Sequence, residues 1–79
     1  MLKGQVFKPI GIPAKDLPKI ELQEDELEAL RLCDLEDLTQ EEAGLRMGIS
    51  RGTVQRLLES GRKKVVKSIV GKHALVIKE

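Results

Sequence analysis

The chain has 79 residues, enough for one domain, and a single Phe with no Trp or Tyr dictates an aliphatic core and excludes single-strand binding by stacking on aromatic platforms. One cysteine, Cys33, rules out an internal disulfide, and Cys33 with the sole histidine, His73, falls short of the roughly four ligands a zinc site needs. The net charge of +1 hides a segregation: residues 16–42 hold eleven acidic side chains against Lys19 and Arg31, whereas residues 46–72 hold eight basic ones against Glu59 alone.

Residues 1–22 contain all three prolines, Pro9, Pro13 and Pro18, each of which pushes the preceding residue to extended backbone, so this arm is expected to be non-helical. Within it Gln5-Val6-Phe7-Lys8 and Lys19-Ile20-Glu21-Leu22 have the character of short strands, with Phe7 expected to anchor the arm on the core. A helical unit is expected over residues 23–71. Its first helix spans residues 24–35, with Glu24, Asp25 and Glu26 complementing the helix dipole. Leu27, Leu30 and Cys33 form its stripe, and Ala29 and Leu32 widen it. Cys33 reads as a small core hydrophobe with no neighbour to activate its thiol.

Residues 39–70 carry two helix starts eleven residues apart. Thr39-Gln40-Glu41-Glu42 is a Thr-x-x-Glu capping box, with Leu38 and Ala43 at the flanking staple positions. Ser50 caps the second helix, flanked by Ile49 and Val54. Between them Gly48 suits the left-handed turn that ends the first helix, and Gly44 leaves room for a close crossing. Ala43, Met47, Ile49, Val54 and Leu57 are expected to pack together. This spacing is that of a helix-turn-helix, although an ordinary helical hairpin obeys similar rules.

The helix after Ser50 is expected to run about twenty residues, to Val70. At 100° per residue Leu57, Leu58, Gly61, Val65 and Ile69 fall within about 60° of Val54 and form the buried face, while Gly52, Thr53, Arg56, Lys63 and Lys67 point outward. Gly61 costs about 1 kcal/mol relative to Ala in a helix interior, which points to close packing or a bend. Val66 and Val70 lie off the stripe and need a separate partner, for which the tail is the candidate. Residues 72–79 supply a short strand, Ala74-Leu75-Val76-Ile77, expected to pair with the N-terminal arm or with another subunit. The fold class expected is therefore mainly α: a three-helix, helix-turn-helix domain with a minor β pairing of arm and tail, one domain overall.

A second helix lying in the major groove presents its N-terminal residues to base edges. Arg51 and Arg56 can each bond O6 and N7 of guanine, Gln55 can read adenine, and Thr53 can contact a thymine methyl. Phosphates are expected at Thr39, Gln40 and Ser50, with a basic rim of Arg46, Arg62, Lys63, Lys64 and Lys67. Catalysis has little to draw on. His73 has no evident partner and reads as an exposed spacer, and the carboxylates of residues 21–28 lack a calcium-loop pattern and read as a solvated helix start. No metal, cofactor or enzymatic activity is expected, nor a membrane segment, and without a signal peptide a cytoplasmic location is expected.

The run from Asp25-Glu26-Leu27-Glu28-Ala29-Leu30-Arg31-Leu32 through Glu41-Glu42-Ala43, Met47-Gly48-Ile49-Ser50 and Gly52-Thr53-Val54 to Arg62-Lys63-Lys64 resembles region 4 of sigma-70-type factors. That region binds promoter DNA through its recognition helix and touches RNA polymerase. A resemblance over nearly the whole chain adds Phe7-Lys8-Pro9-x-Gly11-x-Pro13, Asp34-Leu35, Gln40, Arg51 and Gly71-Lys72-x-Ala74-Leu75. It is to a small prokaryotic family catalogued as domain of unknown function 134 and described as DNA-binding proteins. Departures from the family pattern are Gly52, where a larger polar residue is common, Gly61 in place of a small Ala, a tail without Gly-Gly, and a start at Met1-Leu2-Lys3-Gly4 without the basic, cysteine-containing stretch usual ahead of Phe7. The resemblance implies a sequence-specific duplex-DNA-binding transcription regulator, acting as a homodimer because one motif covers a half-site. The alternative is a protein-interaction module that docks on RNA polymerase without binding DNA.

Overall fold

The computed structural model describes residues 4–78; residues 1–3 and Glu79, ends of the expected arm and tail, lie outside the described residues. The arm holds two strands, β1 (Gln5–Phe7) and β2 (Lys19–Leu22), separated by the proline-containing segment and a single 3-10 turn at Ala14–Asp16. The tail supplies β3 (Ala74–Ile77), which takes the centre of a three-stranded sheet of order β1-β3-β2. β1 runs antiparallel to β3, with Gln5 opposite Ile77 and Phe7 opposite Leu75. β2 runs parallel to it, from Lys19 opposite Ala74 to Leu22 opposite Ile77. A parallel pair needs a long crossover, and here the crossover is the entire helical unit. The expected pairing of arm and tail is present, and both arm strands use the same tail strand.

Helix α1 (Glu24–Leu30) starts with a cap that was not foreseen: the Glu26 carboxylate accepts from the Gln23 amide at 2.8 Å, and the Glu26 amide donates to Asp25 Oδ1 at 2.8 Å. The helix expected to continue as α to residue 35 instead widens into a π-helical turn at Arg31–Leu35. Leu32 is buried on this turn, and Asp34 reaches Arg62. Asp37 then adopts a left-handed backbone, φ 60°, before the next helix begins.

Helix α2 (Gln40–Met47) and helix α3 (Arg51–Val70) form the expected motif, and both caps are made. The Glu42 amide donates to Thr39 Oγ1 at 3.1 Å and the Thr39 amide to Glu42 Oε1 at 2.9 Å. The Thr53 amide donates to Ser50 Oγ at 3.1 Å. Gly48 stops α2 with φ 71°, in the left-handed region where a side chain is strained. Gly44 is the point of closest crossing, since a Cβ there would sit 2.7 Å from the Ile49 carbonyl oxygen.

Two apolar clusters hold the domain. Ala29, Leu32, Ala43, Val54 and Leu58 form the helical one, with Cys33, Leu38, Met47, Ile49 and Leu57 packed around it. Leu22, Leu75 and Ile77 form the one beneath the sheet, with Ile20 and Val65 against it. Leu30 touches both clusters, and Gly61 makes room for it, a Cβ there lying 3.1 Å from Leu30 Cδ1. Close packing, then, is the reason for a glycine inside α3.

Four expectations about packing are corrected. Phe7 is not an anchor: it is more than half exposed, because β1 is an edge strand with all three residues open to solvent. Leu27 is exposed on α1, where Ala29 and Leu32 carry the burial instead. On α3 the buried face ends not at Ile69, which is exposed, but at Ser68, whose hydroxyl satisfies itself on the Lys64 carbonyl at 2.8 Å. The tail does not cover Val66 and Val70, which stay exposed.

Candidate nucleic-acid interface

The turn at Gly48 and the crossing at Gly44 leave one face of the first half of α3 open to solvent, while Val54 and Leu58 on its other face are buried. Arg51, Gly52, Gln55 and Arg56 are exposed there, and Thr53 is half-buried. Arg56 donates to Thr53 Oγ1 at 3.1 Å, and that hydroxyl shares a 2.9 Å hydrogen bond with Ser50 Oγ. Ser50, Thr53 and Arg56 therefore form a chain that orients the guanidinium along the helix. Gln55 donates to Glu59 at 3.4 Å. A Cβ on Gly52 would meet only the Arg56 guanidinium, at 3.8 Å, so the backbone there is open to close approach. Arg51 has no hydrogen-bond or ion-pair partner among the described residues.

The residues expected to hold phosphates divide into two groups. Arg46, Lys63 and Lys67 are exposed and make no ion pair among the described residues. Arg62 and Lys64 are paired with carboxylates, Arg62 at the surface and Lys64 partly buried. Arg62 clasps Asp34 with two bonds of 2.6 and 3.1 Å, which holds the Asp34 carboxyl below its ordinary range. Lys64 donates at 2.7 Å to Glu26, a carboxylate 4% exposed that also accepts from Ser60 Oγ. Burial by itself would raise the Glu26 carboxyl, but the Lys64 ammonium, the Ser60 hydroxyl and the Gln23 amide together bring it below the ordinary range. Thr39 and Glu42 are engaged in the α2 cap, and a phosphate there would lie beside Glu41 and Glu42. Gln40 is half-buried with its Oε1 enclosed and unpaired among the described residues.

Sequence reasoning missed the Glu26–Ser60–Lys64 node and the Asp34–Arg62 clasp. The signal was present as the opposed charge of the first and third helices, but only the packing of α1 on α3 selects which acid meets which base. His73 departs from the exposed spacer expected. It is half-buried, its amide donates to the Ser68 carbonyl at 2.9 Å, and its Nδ1 is enclosed without a partner among the described residues. Cys33 behaves as expected: burial, with the nearby Asp34 charge, pushes its thiol up and away from the reactive thiolate. Among the described residues no group of His, Cys, Asp and Glu side chains could hold a metal ion, and no helix is long and apolar enough to cross a membrane.

In class, then, this is a small, mainly α domain built on a helix-turn-helix and closed by a three-stranded sheet. The chain belongs to the family described as "Protein of unknown function DUF134", whose profile matches residues 3–79. Relatives that carry the designation UPF0251 protein include one from Shewanella sediminis, 54% identical over 91% of this chain and 75% of its own length. Another, from Pyrococcus horikoshii, is 60% identical over 85% of this chain and 63% of its own. A third, from Halothermothrix orenii, is 48% identical over 87% of this chain, and the match spans about half of its own length. No solved structure matches the chain.

Proposed function

We propose that this chain is a sequence-specific duplex-DNA-binding protein that acts in transcription regulation, laying the first half of α3 in the major groove. The observation that carries this is the exposed face of that half-helix, where Arg51, Gln55 and Arg56 stand clear of the domain and the Ser50–Thr53 cap orients Arg56. Arg51 and Arg56 read guanine and Gln55 adenine. Arg46, Lys63 and Lys67 supply the phosphate contacts, since Arg62 and Lys64 are occupied within the domain. No cofactor or catalytic step enters this function, and its setting is the prokaryotic cytoplasm.

Selection of bound sites from a random duplex library tests the proposal directly. A defined site should emerge, and Arg51→Ala or Arg56→Ala should relax its sequence preference. Absent binding, or binding indifferent to salt, would sink it.

The alternative function, docking on RNA polymerase, draws on the acidic exposed surface around Asp37 and Glu41. A sample that retains polymerase and shifts no duplex would favour it.

A further inference from the structure

The solvent face of α3 changes character along its length. Gly52, Gln55, Arg56, Glu59 and Lys63 follow one another at helical spacing, and the same face continues into Val66, Ile69 and Val70. Val66 lies one turn before the adjacent Ile69 and Val70, and the three are 57%, 73% and 77% exposed. Lys63 and Lys67 flank them as free cations. A face-to-face pairing of two such helices would bring the same lysines together, which charge repulsion opposes.

The complementary surface lies elsewhere on the same chain. On α2, Leu45 is 80% exposed beside a shallow groove of about 400 Å³ lined by Leu38, Glu42, Leu45 and Arg46. Leu35, at the end of the π turn, is also exposed. Glu42 and Arg46 line the groove itself, and the exposed acids Asp37 and Glu41 lie close to these leucines along the chain. One surface is thus apolar with a basic border and the other apolar with an acidic border.

We propose that a second copy of this chain is the occupant: the leucine groove of α2 receives the Val66–Ile69–Val70 stripe of its partner, with Asp37 and Glu41 facing Lys63 and Lys67. Each patch is small, and a two-fold pair makes the contact twice, which closes the assembly and doubles the area buried. The base-reading residues Arg51, Gln55 and Arg56 stay outside the contact, whereas Arg46, Lys63 and Lys67 are claimed both by the partner and by the phosphates of the proposed function, so the pairing is measured without DNA.

Sedimentation of the whole chain, with Ile69→Asp and Leu45→Asp variants, tests the pairing. Both positions are exposed, so the variants should keep the wild-type circular dichroism. The wild type should be a dimer that weakens as salt is raised, and each variant should be a monomer at the same concentration. Mixing the two variants should restore part of the association, because the groove of Ile69→Asp and the stripe of Leu45→Asp are both intact. A monomeric wild type would overturn the proposal. A Leu45→Asp variant that remains fully dimeric would do so too, since it would mean that the stripe pairs with itself or that another surface is used.

Discussion

Glu26 illustrates how one side chain serves three purposes. It closes the cap of α1, accepts from Ser60 and Lys64 of α3, and does so while almost fully buried, so two helices are locked at one carboxylate. Replacing Lys64 with Met would leave that carboxylate buried without its cation. Because Lys64 is itself partly exposed, the loss at pH 7 should be about 2 kcal/mol, below the 3–5 kcal/mol of a fully buried pair, measured by urea denaturation. The pH dependence has a definite sign. The folded-state Glu26 lies below its ordinary value of 4.5, so its contribution is fully present above that value and is lost as pH falls through the lower folded one. In Lys64→Met one of the groups that lower the carboxyl is gone, so this acid-side loss should shrink and the stability gap between wild type and variant should narrow as pH falls below 4.5. At Lys72, which follows α3 with φ 55°, the strain can be relieved. Lys72→Gly should raise stability by about 0.5–1 kcal/mol, visible as a higher melting temperature.

The helix-turn-helix depends on two local devices, a cap that starts each helix and a glycine that lets them cross. Ser50→Ala removes the oxygen that accepts the Thr53 amide and frees the Thr53 hydroxyl from its partner, so it should cost about 1 kcal/mol. It should also loosen Arg56, which leans on that hydroxyl. Gly44→Ala places a methyl against the Ile49 carbonyl, a backbone atom that cannot step aside without moving the turn. It should cost about 2 kcal/mol and weaken duplex binding beyond what the stability loss explains, because it changes the angle between α2 and α3. Denaturation and duplex titration on the same sample separate the two effects. The caps, the turn and the length of α3 were legible because each is written in adjacent residues. The π turn was not, because residues 31–35 contain no proline or glycine to mark it, and its hydrogen bonds follow from how Leu32 and Asp34 are held by other elements.

Across the molecule, charge segregation separates a surface suited to phosphate from one that repels it. With Arg46, Arg51, Arg56, Lys63 and Lys67 as the cations of one chain assigned to the duplex, the logarithm of duplex affinity should fall against the logarithm of salt with a slope of about −3 to −5 per chain. Substituting Lys67 should reduce that slope by about 1 without altering the selected site, whereas substituting Lys64 should leave the slope nearly unchanged. Equal slope changes for the two lysines would show that the inward pair with Glu26 opens on DNA.

From its own residues the chain determined the helix starts, the turn at Gly48, the exposed first half of α3 and the presence of strands at both termini, because capping, left-handed turns and helical periodicity act over a few residues. Tertiary structure alone decided that β3 sits between both arm strands, that Phe7 and Ile69 remain outside, and that Arg62 and Lys64 pair with Asp34 and Glu26. Those outcomes depend on contacts between residues some thirty to seventy positions apart. A basic side chain on a helix face is equally suited to a phosphate or a neighbouring carboxylate until the packing of α1 on α3 brings the carboxylate within reach.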